Sequence, residues 1–428
     1  MSNDRSLTKA EVGAIVDRMR ACVVGIGHTN FGRWLDRSLA SLSQEAARQA
    51  LEDAGLGPAD VGMVAFGNAG QGAIEGQHSI RGVLALRELG LGRVPIVNVD
   101  NACAGASTAF HVACAWVEAG MADVVLAVGA EKMVTPDKER AFAMLGGSWD
   151  VSDVAGTLAR LRAMGEGVVF PPEEDGPPDR SPFMDVYAGF ARFHMKTFGS
   201  TRAQLAAIAA KNHAHSQHNP LAHYRRPFTR EEVLAGRPVV YPFTVPMCSP
   251  VSDGAAAAVI VSEKRVAQLG RARAVRIRAA LLASGDARRP PENVREHVCH
   301  LLAKRAYEAA GIGPEDVSFA EVHDATAFGE IVQAENLGFC AFGDGGVIAE
   351  RGETSIGGRI PINPSGGLES RGHPVGATGL AQIHELVTQL RGEAGARQVA
   401  GANVGVAENG GGLVGIEEGA ASIIVLSR

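Results

Sequence analysis

At 428 residues and 44.6 kDa the chain exceeds one ordinary domain and suits two or three packed units. Hydrophobic residues make up 46% and charged residues 21%, which supplies a sizeable core and excludes wholesale disorder. A net charge of −6 argues against a nucleic-acid or anionic-membrane partner held by bulk charge, and no run of about 18 apolar residues offers a membrane-spanning helix.

In chain order, Thr8-Lys-Ala-Glu11 is a capping-box pattern ahead of Val12, Ile15, Val16 and Met19 at helical spacing. It predicts a short surface helix over residues 1–20. That stretch lacks the apolar centre of a secretory leader, and Ile423–Arg428 carries no peroxisomal or ER address. With six dispersed cysteines, the expectation is a cytoplasmic protein with reduced thiols. Strand one is Cys22–Gly27. The segment Glu52–Val61, EDAGLGPADV, follows an Ala/Leu-rich helical pattern and precedes the strand Met63–Phe66. It returns as EAAGIGPEDV at Glu308–Val317, ahead of a strand over Ser318–Val322. In each copy a glycine fits a helix C-cap and a proline stops the helix from resuming.

A second matching pair follows. Residues 101–131 run from the small-residue loop Asn101–Ser107 through a helix to the strand Asp123–Val128; residues 366–408 run from a glycine loop through a helix to a strand around Val399–Val406. Two βαβ-rich copies predict an α/β protein of two similar halves, with helices packed on mixed sheets. Residues 21–133 with 241–265 form the first half and 266–428 the second. Residues 134–240 differ: Pro171–Pro178 is proline-rich and acidic, Tyr187–Phe198 and Arg202–His215 are amphipathic helices, and Asn219–Pro227 is a loop. They read as an inserted loop domain able to cover a site. Val259–Val261 closes the first half as a strand after Ser252–Ala258.

Cys103 follows the strand-like Ile96–Val99 in a loop that opens a helix. Orphan N–H groups and the helix dipole there favour a thiolate nucleophile, against the usual fate of a buried inert cysteine. Cys22, Cys114 and Cys299 fit that inert role, mid-strand or mid-helix. His373, between Gly372 and Pro374 on a loop entering a helix, could take the thiol proton and stabilise an oxyanion, or be a turn histidine satisfied by backbone. His323 stands after the strand of the second repeat copy, where it could donate an N–H to a carbonyl oxygen. Glu408, read as a strand end before a glycine turn, is a proton shuttle if buried and otherwise a solvated or capping carboxylate. His213, His215, His218 and His223 make a metal site conceivable, but no nearby cysteine or paired carboxylate supports it. Gly343–Gly346 matches neither a Walker A loop nor GxGxxG.

Together these residues resemble the thiolase superfamily, in particular its sterol-carrier-protein-x type and thiolase-like bacterial and archaeal relatives, from about residue 21 onward. The motifs are NACAGAS at Asn101–Ser107, SDGAA at Ser252–Ala256, His323-Asp324, and GHPVGATG at Gly372–Gly379. The resemblance implies a five-layer αβαβα fold whose loop domain covers a coenzyme A site. Cys103 would be the acylated nucleophile, His373 its activator and an oxyanion-hole member, and His323 the group polarising the second thioester carbonyl. Ser249 would contact the pantetheine arm, and Gly411 and Gly412 would form the turn beside the reacting atoms. Coenzyme A would be a substrate, with no permanently bound cofactor and no metal. The oligomer would be a homodimer through the Cys103-side sheets or a tetramer of dimers, and some relatives use a small OB-fold, zinc-ribbon partner.

Two positions depart from the family. The Cys-x-Gly turn of ordinary thiolases reads Glu408-Asn409-Gly410, and the cysteine of the His-Asp-Cys-Phe motif is Ala325. Either Glu408 substitutes for the missing acid/base, or the reaction needs no such proton transfer in its familiar form. The expected activity is that of an acyl-CoA C-acyltransferase in lipid metabolism, ping-pong through an acyl-Cys103 thioester. Its rivals are a thiolase-fold aldolase, an acyltransferase acting on a non-CoA carbon nucleophile, and a binding protein that kept only the fold.

Overall fold

The computed structural model describes residues 21–178, 180–269, 272–289 and 293–428; the helix expected over 1–20 lies outside them. The first half runs β1 (Ala21–His28), α1 (Leu39–Asp53), β2 (Met63–Gly67), β3 (Ile96–Val99), α2 (Gly105–Glu118) and β4 (Val124–Glu131). A long excursion then carries α3 (Pro182–Phe198), α4 (Arg202–Ser216) and the small hairpin of β5 (Pro238–Val240) and β6 (Phe243–Thr244), before β7 (Gly254–Ser262) rejoins the sheet. The second half runs β8 (Val275–Ser284), α5 (Val298–Ala310), β9 (Phe319–Glu321), α6 (Ala327–Asn336), α7 (Thr378–Arg391), β10 (Val404–Val414) and β11 (Glu417–Ser427).

The strand order β3-β2-β4-β7-β1-β8-β11-β10-β9 has its centre at an antiparallel junction of only two residue pairs, Cys22 with Arg276 and Val23 with Val275. Outward from it the halves match strand for strand: β1 and β8, β7 and β11, β4 and β10, β2 and β9. The counterpart of β3 is a single bridge from Ala320 to Ile362. The repeated segments also agree at the level of turns. Gly55 and Gly311 both end their helices at positive φ, 65° and 66°. Asp60 and Asp316 each accept the backbone N–H of a glycine three residues earlier at 2.9 Å.

Both faces of each sheet are buried, which is why the strands are nearly unbroken apolar runs. On β4, Val125 and Ala127 face a core shared with α2, α7 and strands of the second half, while Leu126 and Val128 face α1. On the far side, α5 covers the outer face of the second half. The result is five layers: α1, sheet, the pair α2 and α7, sheet, α5. Small side chains set the spacing; a Cβ on Gly27 would sit 2.0 Å from the Ala46 carbonyl oxygen of α1.

Close layers explain two differences from the sequence reading. The strand expected over Val259–Val261 begins earlier, at Gly254, and takes in Ala255–Ala258, because a sheet pressed between helices accepts methyl side chains. β10 starts at Val404, not Val399, and runs through Gly410–Gly412, expected as a turn; the chain reverses at Gly415, φ 58°. Cys299 lies in the first turn of α5, not mid-helix. The excursion between β4 and β7 packs on the other half: Ala188, Leu205 and Ile208 of α3 and α4 share a core with Ala327, Phe328 and Ile331 of α6. Among the described residues no helix is long and apolar enough to cross a membrane.

Candidate active site

Cys103 stands between β3 and α2, on a backbone that the loop itself constrains. Ala102 adopts φ 49°, unusual for a residue with a Cβ, and the Asp100 carboxylate accepts its N–H at 3.1 Å. β10 passes against this loop so closely that a Cβ on Gly411 would lie 2.1 Å from the Asn101 carbonyl oxygen and 2.5 Å from the Ala104 nitrogen. The thiol does not show the expected depression. Burial, with the Glu131 charge acting the same way, pushes it up to about 12 against the N–H groups of Cys103 and Gly412. Desolvation outweighs the helix terminus here.

The two histidines reach Cys103 from the second half. One ring nitrogen of each and the Cys103 Sγ lie within 4.8 Å of one another, and the rings meet edge to face with centroids 5.1 Å apart. His373 Nδ1 bonds Thr378 Oγ1 at 2.7 Å; that hydroxyl donates to the Pro374 carbonyl, so it accepts from Nδ1–H and leaves Nε2 as a bare acceptor. His323 has the opposite tautomer. Asn409, its Oδ1 occupied by Ser107 Oγ at 2.8 Å, donates Nδ2–H to His323 Nδ1 at 3.1 Å, so Nε2 carries the proton. Burial keeps both rings neutral, His323 down to about 4 and His373 well below the usual imidazole range, with His323 and Arg371 adding to the latter.

Three buried carboxylates position these groups; of them only Asp253, inside the SDGAA motif, was marked by the sequence, and without a role. Glu131 accepts N–H bonds from Ala69, Gly70 and Gly376 and so ties the first half to the His373 loop; burial pushes it up to about 7. Asp253 accepts from Lys132 Nζ at 2.8 Å and from the N–H groups of Met133 and Val134. Glu321 pairs with the buried Arg371 at 3.0 Å and accepts from Ser365 Oγ. Glu131 and Glu321 each end an apolar strand, a pattern that could have marked them.

A cavity of about 340 Å³ opens onto Cys103, His323, His373, Ser249, Gly411 and Gly412. Glu408 is not among its walls. It lies mid-strand in β10 and faces α5, where Oε2 accepts the His323 N–H at 2.9 Å and Oε1 accepts the Cys299 thiol at 3.5 Å. Strand alternation sends Asn409 toward the histidines and its neighbour away. Burial and the Glu418 charge raise Glu408 to about 8.

Three carboxylates reach the cavity, Glu335, Glu417 and Glu418. Glu335 is taken up by His194 and the Gly345 N–H, and Glu417 by Arg288 and the N–H groups of Asp286 and Val298, which leaves Glu418 of β11 as the candidate for chemistry. Its stem lies over Gly410, where a Cβ would meet Glu418 Cγ at 2.5 Å; its carboxylate pairs with His297 Nε2 at 3.0 Å and accepts from Gln333 Nε2 at 3.2 Å. The neighbouring His297 holds it below the usual carboxylate range. Phe183, Tyr187, Phe190, Phe193, Phe328 and Phe342 give the cavity a strongly aromatic lining. The sequence signalled only that Tyr187–Phe198 is an amphipathic helix. The four clustered histidines do not converge. His213 bonds Pro246 and Ser370, His215 bonds Asn363 and Ile356, and His223 bonds Ser252, so these three join the inserted segment to its surroundings.

Comparison with known proteins agrees with this architecture. The family description "Thiolase, N-terminal domain" matches residues 21–233, and "Thiolase C-terminal domain-like" matches residues 292–428. The chain is 37% identical over 412 residues to an acetyl-CoA acetyltransferase of Methanothermobacter thermautotrophicus, across 95% of this chain and 99% of that one. It is 36% identical to sterol carrier protein 2 of Bos taurus (92% and 70% covered), and 32% identical to the benzoylsuccinyl-CoA thiolase subunit BbsB of Thauera aromatica (88% and 90%). Among solved structures it is similar to an Ltp2-ChsH2(DUF35) aldolase, with TM-score 0.75, 26% identity, and 96% and 98% of the two chains covered. An acetyl-CoA acetyltransferase from Syntrophomonas wolfei shares the fold, with TM-score 0.62 at 21% identity and 95% and 99% covered.

Proposed function

The chain belongs to the thiolase family, and from that premise we propose that it is an acyl-CoA C-acyltransferase working on 3-oxoacyl-CoA through an acyl-Cys103 thioester. The observation that carries the reading is the convergence of the Cys103 Sγ and two differently protonated imidazoles at the wall of one cavity. At rest Cys103 and His373 are both neutral. The thiol proton moves to His373 Nε2 as Sγ attacks the 3-oxo carbon, so charge appears only with bond formation. His323 Nε2–H is the donor left to hold developing negative charge on a thioester oxygen, a contribution typically worth about 10²–10³ in rate. Coenzyme A enters as a substrate past Ser249 and takes the acyl group in the second half-reaction.

The test is coenzyme A-dependent cleavage of 3-oxoacyl-CoA esters, short to steroid-sized, by the purified chain beside Cys103→Ala. Cleavage that disappears in the variant, with an acyl adduct on Cys103 in the intact mass, supports the reading. Undiminished cleavage in Cys103→Ala overturns it.

One observation favours a second reading. Neither familiar acid/base position presents a titratable group to the cavity, since Ala325 has none and Glu408 faces α5. Retro-aldol cleavage of a β-hydroxyacyl-CoA needs no acyl-enzyme, and one similar structure is an aldolase with a DUF35 partner. Cleavage of β-hydroxyacyl-CoA that survives Cys103→Ala, with a copurifying small zinc-bearing subunit, would select it. A homodimer through β3 is proposed with either. That edge strand leaves Val97 40% exposed, and Ile80 and Val83 beside it are exposed as well.

A further inference from the structure

The carbon–carbon step of the proposed reaction needs a group that carries a proton to or from the α-carbon of the coenzyme A-bound partner. The geometry points to Glu418, paired with His297, as that group, and the inference rests on the thiolase reading above.

Glu418 shares the cavity with Cys103 and the two histidines, whereas Glu408 does not. Its approach depends on Gly410, the glycine that leaves room for its stem. Tyr187 lines the same cavity, so the carboxylate, the phenol, the two imidazoles and the Cys103 thiol all open onto one space. The pair is pre-oriented. His297 Nδ1 faces two donors, the Cys299 N–H and Asn336 Nδ2, each at 3.3 Å, so the ring proton sits on Nε2, which lies 3.0 Å from Glu418 Oε2. Glu418 rests ionised and so has a site free to take a proton, whereas Glu408, raised to about 8 and turned toward α5, holds one at neutral pH.

The step balances without a co-reactant. In the condensing direction the Glu418 carboxylate takes a proton from the thioester α-carbon, and the C–H electron pair becomes an enolate whose oxygen accepts from His323 Nε2–H. The carbon attacks the acyl-Cys103 carbonyl. Cys103 leaves as the thiolate, and the α-proton passes from Glu418 to the sulfur by way of His373 Nε2, so carboxylate and imidazole both return to their starting states. In cleavage the same atoms run backwards: the Cys103 proton passes by way of His373 Nε2 to the Glu418 carboxylate, which gives it to the departing carbon.

The experiment follows incorporation of solvent deuterium at the α-carbon of acetyl-CoA and propanoyl-CoA by the full chain, beside acylation of Cys103 read by intact mass. With acetyl-CoA as the acyl donor, a transfer that breaks no carbon–carbon bond, Glu418→Gln is expected to be acylated at Cys103 within about threefold of the unaltered protein and to lose α-exchange by about 100-fold or more. Glu418→Asp is expected to recover part of the exchange. Exchange in Glu418→Gln equal to that of the unaltered chain, or equal loss in the Gln and Asp variants with matching melting temperatures, overturns the assignment. An unaltered chain that exchanges no α-proton overturns it too. Exchange that depends on Glu418 without any acylation of Cys103 keeps the assignment and overturns the thiolase reading instead.

Discussion

Cys103 is held as a thiol, and its nucleophilicity is therefore conditional on the substrate's arrival. A thiol raised to about 12 reacts slowly with iodoacetamide at pH 7–8, and its alkylation rate should climb with pH without a plateau below about pH 11. A plateau near neutrality would mean a thiolate–imidazolium pair and a different resting state. Glu408 yields a prediction of the opposite kind. Its folded pKa of about 8 stands above its unfolded value, so its contribution to stability is complete below about pH 4 and is lost as pH rises through 8. Glu408→Gln keeps an acceptor for the His323 N–H and removes the titration. Its melting temperature relative to the unaltered protein should rise steadily between pH 5 and 8, by the equivalent of roughly 1 kcal/mol or more; a constant difference would show that the group does not titrate there. Cys103 and His373 were legible in the sequence because small-residue loops opening helices expose what they carry. Glu418 was not. Beside Glu417 and a glycine turn it looks like a solvated hairpin acid, and only its pairing opposite Leu413 turns it inward.

At the scale of elements, β10 is the part that the sequence most misrepresents. Three consecutive glycines read as a turn, yet they are strand because the Cys103 loop leaves no room for side chains on one side and the Glu418 stem leaves none on the other. Gly411→Ala therefore has two separable effects. Displacing a Cβ from 2.1 Å to ordinary contact should cost about 1–3 kcal/mol in denaturant unfolding. It should also slow Cys103 acylation by at least tenfold in a variant that still folds, because the shift falls on the nucleophile's own backbone. Acylation at the unaltered rate would mean that the strain is absorbed by β10. The helices α3 and α4 were readable from amphipathic spacing, and their residues match the expected segments closely. Their target was not readable, since periodicity says that a face is apolar and not which surface it meets.

At the scale of the molecule, duplication was visible as a recurring ten-residue segment, and the structure extends it to a pseudo-symmetric pair of sheets. The site breaks that symmetry. Cys103, the proposed nucleophile, comes from the first half, and His323, His373 and Glu418 from the second, so neither half alone holds the proposed site. Substituting Val97→Lys on the bare edge of β3 tests the proposed assembly: light scattering should show the particle mass falling by half if the edge is the contact, and no change if it is not.

The two ends of the long sheet are unequal. Beyond β9 the backbone of Ala320 is already satisfied by Pro361 and Asn363, and the buried Ile362 bars further pairing. Beyond β3 there is no such cover among the described residues. A molecule with one adhesive end and one blunt end can join its own kind only once, about a two-fold axis, and the product offers nothing for a third copy to extend. The blunt end is what would make such an assembly finite, and it would keep a sheet this long from seeding a fibre.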